Sequence, residues 1–194
     1  MDMPFDALTD TSEEALLVLY ANGDPAAARA LTIRLTPMAL RVAARMLGDG
    51  SEAEDVAQEA MLRLWRVAPD WRQGEAKVST WLYRVVSNLA TDRLRKRRGV
   101  SLDEAAEPDD GRPAVVDVMI DTDRAKALEA ALAALPDRQR QAVVLRHLEG
   151  LSNPEIADVM EIGVEAVESL TARGKRALTA MLAGRREELG YGHG

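Results

Sequence analysis

The chain has 194 residues, of which 47% are hydrophobic and 29% charged, with 25 Lys+Arg against 32 Asp+Glu for a formal net charge of −7. That length accommodates one ordinary domain or two small ones, and the hydrophobic share is globular rather than disordered. The absence of cysteine excludes disulfides, thiolate metal sites and cysteine nucleophiles and fits a reducing, cytoplasmic setting, while 4% aromatics favours aliphatic helical packing over β-sandwiches.

Residues 1–10 hold three aspartates and no base, unlike a secretory signal, and read as an acidic tail. The longest charge-free run, 15–23, falls well short of the roughly 18 residues of a membrane span, so no membrane insertion is expected. Helix punctuation then begins. Thr11 and Glu14 have capping-box spacing and open an apolar run that stops at Asn22-Gly23. Asp24-Pro25 supplies an N-cap with proline in the first turn, and Pro37 is expected to break or restart that helix, which runs on to Leu47-Gly48. Ser51 and Glu54 form a second capping box for a helix ending before Pro69, with Val56, Ala60, Leu64 and Val67 on one face. After a polar loop, Ser79 is placed to cap a long helix reaching Arg98.

Periodicity fails over 99–123, where Pro108, Gly111 and Pro113 mark a linker. Four short helices follow over 124–183. Leu128, Leu132 and Leu135 form a stripe ending at Pro136; Val143, Val144 and Leu148 form another, closing at Glu149-Gly150. Ser152 and Glu155 make a third capping box around Pro154, and the turn Glu161-Ile162-Gly163 leads into a last helix over about 164–182. Residues 184–194 read as a mobile tail. The expected fold is all-α: two small helical units, 11–98 and 124–183, joined by the linker.

Resolved by segment, the charge is −3 over 1–10, +3 over 11–98, −7 over 99–123 and zero over 124–194. Six bases and one acid fall within 84–98. Such segregation points to an electrostatic partner at one site.

Three constellations carry chemistry. The loop around Gly74 and the helix after it bring Trp71, Trp81, Tyr83, Arg84, Asn88, Asp92 and Arg93 together with the cationic end Arg95, Lys96, Arg97 and Arg98. Faces to stack on, amides to read base edges and cations for phosphates are what single-stranded nucleic acid requires. Trp81 reads first as a core anchor, and Trp71, in the polar loop, as exposed. On the helix before it, Leu62 and Trp65 lie off the apolar stripe and are rimmed by charge, as on a partner surface. The third constellation is a helix-turn-helix, whose second helix in such motifs enters the DNA major groove. An enzyme is disfavoured: Glu-x-x-His pairs, P-loops, GxGxxG and GxSxG are all missing, and no metal or other cofactor is called for. His147 reads as a helix-end or core residue rather than a ligand.

In this order the motifs resemble the extracytoplasmic-function (ECF) class of bacterial sigma factors, in the sigma-70 family. Residues 53–65, AEDVAQEAMLRLW, are similar to region 2.2; residues 78–97, VSTWLYRVVSNLATDRLRKR, to regions 2.3 and 2.4; and residues 134–178 to region 4. The resemblance implies a transcription initiation factor whose partners are core RNA polymerase, promoter DNA and a cognate anti-sigma factor. It implies core-polymerase contacts at Asp55, Gln58, Glu59, Leu62, Arg63 and Trp65. For the −10 element it implies Trp71, Arg72, Gln73, Lys77, Trp81, Arg84, Asn88, Asp92, Arg93, Arg95, Lys96, Arg97 and Arg98. For the −35 element it implies Glu165, Glu168, Ser169, Ala172, Arg173, Lys175 and Arg176. Two departures stand out. Glu161 occupies the turn position where relatives commonly have Gly, and acidic Glu165 and Glu168 sit on the recognition helix, so −35 recognition is expected to rest more on Arg173, Lys175 and Arg176. A stand-alone helix-turn-helix regulator is the rival reading; it would bind its site without polymerase.

Overall fold

The computed structural model describes residues 8–72, 74, 76–103 and 119–188, without the side chains of 100–103, 119–123 and 185–188. The expected acidic tail therefore lies largely outside the described residues, as do Gln73, the middle of the linker and 189–194. Eight α-helices and no strand occur among the described residues.

The first unit is built from α1 (Glu13–Ala21), α2 (Pro25–Leu47), α3 (Gly50–Val67) and α4 (Val78–Asp103). Ser12, one residue beyond the expected Thr11, caps α1 by accepting from the Ala15 N–H at 3.2 Å. Asp24 caps α2 through the Ala26 and Ala27 N–H groups, with Pro25 in the first turn as expected. Pro37 does not break α2, which runs unbroken for 23 residues. Proline's fixed φ suits a helix; what it removes is the bond to the Ile33 carbonyl. Ile33 and Pro37 both face solvent, where water can take that carbonyl, while Leu31, Leu35, Met38, Ala39 and Val42 bury the opposite face.

The second capping box is also displaced. Asp49, not Ser51, caps α3 by accepting from the Glu52 N–H at 2.8 Å, and the helix starts at Gly50. Val56, Ala60 and Leu64 are fully buried, as their spacing required. For α4, Ser79 lies inside the helix and its cap comes from α1 instead. The Val78 N–H donates to Glu14 Oε1 at 3.3 Å, and Glu13 accepts from the Ser79 backbone while its burial raises its pKa. The helix also continues past the expected Arg98 into the acidic segment, to Asp103. Leu16, Leu17, Leu31, Leu35, Met46, Leu64 and Leu82 centre this unit's core.

The second unit comprises α5 (Met119–Ala133), α6 (Asp137–Val143), a π-helical turn (Val144–Leu148), α7 (Asn153–Met160) and α8 (Val164–Glu188). The acidic linker is thus helical at both described ends, and α8 extends through part of the expected tail. Ser152 and Glu155 form the full reciprocal capping box at α7. Glu161 ends α7 at φ 55°, ψ 46°, taking up the left-handed conformation that glycine would occupy without strain. Inside α8, Gly174 lets α6 approach closely: a Cβ there would lie 2.6 Å from Val143 Cγ2 and 3.2 Å from the Gln139 carbonyl.

Candidate polymerase and nucleic-acid interface

On α3, the helix face away from the core lines an open groove shared with α2, bounded by Leu40, Glu54, Gln58, Met61, Leu62 and Trp65. Leu62 is 43% exposed, which confirms it as off the buried stripe. Trp65 is half-buried and leans on Tyr20 of α1, ring centroids 4.5 Å apart. Around this groove Glu59 accepts from Arg63 one turn on at 2.8 Å, and that bond lowers the Glu59 pKa. Asp55 pairs with Arg93 of α4 at 3.6 Å, tying α3 to α4.

Exposure and bonding both vary along the loop and α4. Asn88, Asp92, Arg95 and Lys96 are exposed along α4, with Asp92 and Arg95 pairing at 3.6 Å, and Arg72 and Lys77 are exposed in the loop. Trp71 is not the exposed side chain its loop suggested. It packs half-buried on the core, edge-on to Trp81 with centroids 6.0 Å apart at 86°. A polar loop is no guide here because the indole gains more by covering the end of the core than by standing in water. Trp81 is half-buried in the same cluster, as an anchor should be. Arg97 binds Glu52 at 2.6 Å and the Leu47 carbonyl at 3.0 Å, so it fastens α4 to the α2–α3 corner. Lys77, Arg84 and Arg98 reach the second unit: Lys77 pairs with Glu155 at 3.4 Å, Arg84 donates to the Asp158 carbonyl at 2.7 Å, and Arg98 pairs with Asp137.

In the second unit α7 and α8 form a helix-turn-helix about buried Ile156, Val159 and Val167. Glu165, Glu168, Ser169, Ala172, Arg173, Lys175 and Arg176 are all exposed on α8. Their spacing of three and four places them along one broad face. Arg173 is held along that face by Ser169, whose hydroxyl accepts from its Nη2 at 2.9 Å. His147 lies at the rim of a second apolar groove lined by Leu128, Leu132, Val143, Leu148 and Leu178. Burial and the cations Lys175 and Arg146 lower its pKa. Arg41, Arg45 and Glu149, given no functional role from sequence, and Tyr83, expected there only among the nucleic-acid residues, meet where the two units touch. No local pattern marks them, since they lie 66 to 108 residues apart. Among the described residues no cluster of three His, Asp or Glu is placed to hold a metal, and no helix is long and apolar enough to cross a membrane.

Comparison with known proteins accounts for both units. The family profile Sigma-70 region 2 matches residues 31–100, and Sigma-70, region 4 matches residues 125–178. The ECF RNA polymerase sigma factor SigW of Bacillus subtilis is 33% identical over 151 residues, covering 71% of this chain and 79% of that protein. The RNA polymerase sigma-H factor of Pseudomonas aeruginosa is 32% identical over 186 residues, covering 90% and 96%. Among solved structures, CnrH in complex with the cytosolic domain of CnrY aligns with a TM-score of 0.67 at 26% identity, covering 89% of this chain and 97% of that one. RpoE of Bartonella quintana, in complex with the anti-sigma factor NepR, shares the fold with a TM-score of 0.66 at 20% identity, covering 80% and 96%. With two relatives above 30% identity, matched over 71% and 90% of the chain, and both regions matched in order, the chain belongs to the ECF RNA polymerase sigma factors.

Proposed function

We propose that the exposed surfaces of this sigma factor divide the work of promoter-directed initiation by core RNA polymerase among α3, the loop with α4, and α8. The observation that carries this assignment is the exposure of all seven α8 positions on one broad face, set on the helix-turn-helix that region 4 supplies. In this reading Asp55, Gln58, Glu59, Leu62, Arg63 and Trp65 engage core polymerase through the α3 groove. Trp71, Arg72, Lys77 and Trp81 form the end of the core against which an unstacked −10 base is held, with Gln73 in the same loop. Asn88, Asp92 and Arg93 read the strand, and Arg84, Arg95, Lys96, Arg97 and Arg98 supply phosphate contacts. The α8 face enters the −35 major groove, Arg173, Lys175 and Arg176 meeting phosphates and Glu165 and Glu168 facing base edges, where a carboxylate accepts from cytosine N4.

The chain catalyses no bond chemistry in this reading; it supplies recognition and strand opening to a polymerase in the cytoplasm. A cognate anti-sigma factor covering the polymerase-facing surfaces is the natural regulator, as the partner-bound states of CnrH and RpoE suggest. The stand-alone regulator is not favoured, because relatives match the first unit as well as the helix-turn-helix.

Run-off transcription with purified core polymerase on fragments of the source genome tests the assignment. Initiation that requires both core and this chain is expected, and none on any fragment refutes it. Arg173→Ala is expected to weaken promoter binding by the holoenzyme and to lower its salt slope by about one unit, the signature of one lost phosphate contact. Unchanged binding at moderate salt would remove Arg173 from the interface.

A further inference from the structure

Arg34 fixes the point at which residues 1–7 join the first unit. Its guanidinium donates to three carbonyls of the segment before α1, Nη1 to Thr11 at 2.6 Å and Nη2 to Leu8 at 2.6 Å and Thr9 at 2.7 Å. Leu8 itself is fully buried in the core. The preceding residues, Met1-Asp2-Met3-Pro4-Phe5-Asp6-Ala7, alternate large apolar side chains with aspartate or proline, and Phe5 is the one phenylalanine of the chain. In an extended backbone, which Pro4 favours for the residue before it, side chains two apart share a side. Met1, Met3 and Phe5 then fall on one side and Asp2 and Asp6 on the other.

Beside that point the first unit shows an apolar face. Among the described residues four large apolar side chains are exposed, and three of them, Ile33 at 53%, Leu40 at 36% and Leu62 at 43%, lie on α2 and α3. Ile33, Pro37 and Leu40 recur at spacings of four and three, one stripe of α2 about 100° round the helix from Arg34. Beyond the stripe opens the groove of about 440 Å³ lined by Thr36, Leu40, Met61, Leu62 and Trp65. That volume is within the range of about 300–1,000 Å³ found for sites that hold a ligand. Arg63 and Arg66 stand along its outer rim, sharing Glu59. The Ile33 carbonyl, freed by Pro37, offers a further acceptor on the way. Leu40 lies about 9 Å along α2 from Arg34, whereas seven extended residues span up to about 25 Å.

We propose that residues 1–7 are a built-in occupant of the α2–α3 groove, with Phe5 crossing Ile33 and Pro37, Met3 and Met1 entering beside Leu40 and Leu62, and Asp2 facing Arg63 and Arg66, so that the chain's own tail competes with core polymerase for this surface. Methionine adapts to an open, irregular groove, and the aspartates match the cationic rim. A short tether supplies an effective concentration of about millimolar, so a contact too weak to hold separate molecules together is still occupied, and a larger polymerase surface displaces it. The competition rests on the assignment of α3 to core polymerase; the docking of the tail does not.

The chain carries no cysteine, so Met3→Cys with Leu40→Cys makes a unique pair in the full chain. Under mild oxidant its intramolecular disulfide is expected to form about fivefold faster, or more, than in the same pair carrying Phe5→Asp, which keeps the tether and loses the seat. Equal rates mean a tail that is tethered but not seated, and overturn the docking. Affinity for purified core polymerase is measured on cysteine-free chains. Deleting residues 2–7, or Phe5→Asp alone, is expected to tighten binding about threefold or more, and Phe5→Leu to stay within about twofold of the parent. Unchanged affinity in both the deletion and Phe5→Asp overturns the competition. Leu62→Asp in the deleted chain tests the surface separately. If it binds core as tightly as its parent, the α3 assignment fails, while the disulfide rates still decide whether the tail sits in the groove.

Discussion

Replacing Gly174 by alanine tests whether α6 fixes the position of the recognition helix. The added Cβ would sit 2.6 Å from Val143 Cγ2, 3.2 Å from the Gln139 carbonyl and 3.4 Å from Gln139 Cβ. Carbon atoms in packed interiors rest about 3.5–4.0 Å apart, so α6 and α8 must separate by roughly an ångström at this crossing. Val143 is 2% exposed and the second neighbour is backbone, so neither can swing aside. Overpacking of this kind costs about 1–3 kcal/mol, against a gain of about 1 kcal/mol from replacing glycine inside a helix. The net expectation is a loss of up to about 2 kcal/mol, or up to about 16 °C in Tm for a unit of this size. Gly184→Ala is the internal control. It lies on the same helix with open space around it, so it should stabilise by up to about 1 kcal/mol. Calorimetry of the two variants beside wild type reads the difference. If Gly174→Ala melts as high as Gly184→Ala, the close approach of α6 to α8 is not what sets the recognition helix in place.

Two further substitutions probe the helix-turn-helix. Glu161→Gly removes a left-handed strain of about 1–2 kcal/mol and forgoes an exposed pair with Arg84 worth about 0–1 kcal/mol, while the added freedom of the unfolded chain offsets part of the gain. A net stabilisation of up to about 1.5 kcal/mol is expected in urea unfolding, and a loss beyond about 1 kcal/mol would show that the conformation at Glu161 is unstrained. Ser152→Ala removes the N-cap of α7 and should cost about 1 kcal/mol. The same cap predicts an acid response. The backbone and hydroxyl of Ser152 both donate to Glu155 and lower its pKa below the ordinary carboxylate value. Its contribution is therefore complete above the unfolded value of about 4.5 and is lost as pH falls through the lowered folded value. The urea midpoint of the wild type should drop across that window, and Ser152→Ala should flatten the drop.

What could be read ahead of the structure was whatever the chain encodes within a few residues. The stripe Val56–Ala60–Leu64, the Asp24-Pro25 start and the Ser152–Glu155 box depend on neighbours three or four positions away, and all three formed where expected. The errors came where a distant group won. Ser79 lost its capping role to Glu13 and Glu14, which α1 brings to the first turn of α4 from more than sixty residues away. Asp49 overrode Ser51 because an aspartate two residues earlier takes the Glu52 amide and starts the helix at Gly50, leaving Ser51 inside it. Pro37 read as a breaker because sequence shows the lost N–H but not that the freed carbonyl faces water. Trp71 looked exposed because its neighbours are polar, whereas its ring answers to Trp81. In the candidate site the α8 row was named from the resemblance to region 4, and helical spacing sets it on one exposed face. The commitment of Arg97 to Glu52, and of Lys77, Arg84 and Arg98 to the second unit, depends on long-range packing that local spacing does not encode.

The same packing changes what the zero net charge of 124–194 means. Ten acids against ten bases is odd for a unit that enters DNA, and averaged over its surface it would barely attract a duplex. Asp137, Glu149, Glu155 and Glu161, however, face the first unit and are matched there by Arg98, Arg41 with Arg45, Lys77 and Arg84. With those four acids turned inward, the rest of 124–194 carries ten bases against six acids. On that helix the bases Arg173, Lys175 and Arg176 lie in the third and fourth turns, while Glu165 and Glu168 occupy the first two. Carboxylates there favour the helix dipole but repel phosphate. A docking in which the first turn points at base edges and the later turns meet the backbone satisfies both ends of the helix. The reverse sets two glutamates against phosphates with nothing to offset them. In the proposed docking, the distribution of charge along α8 therefore favours one direction in the groove, which neither its total charge nor its exposure could do.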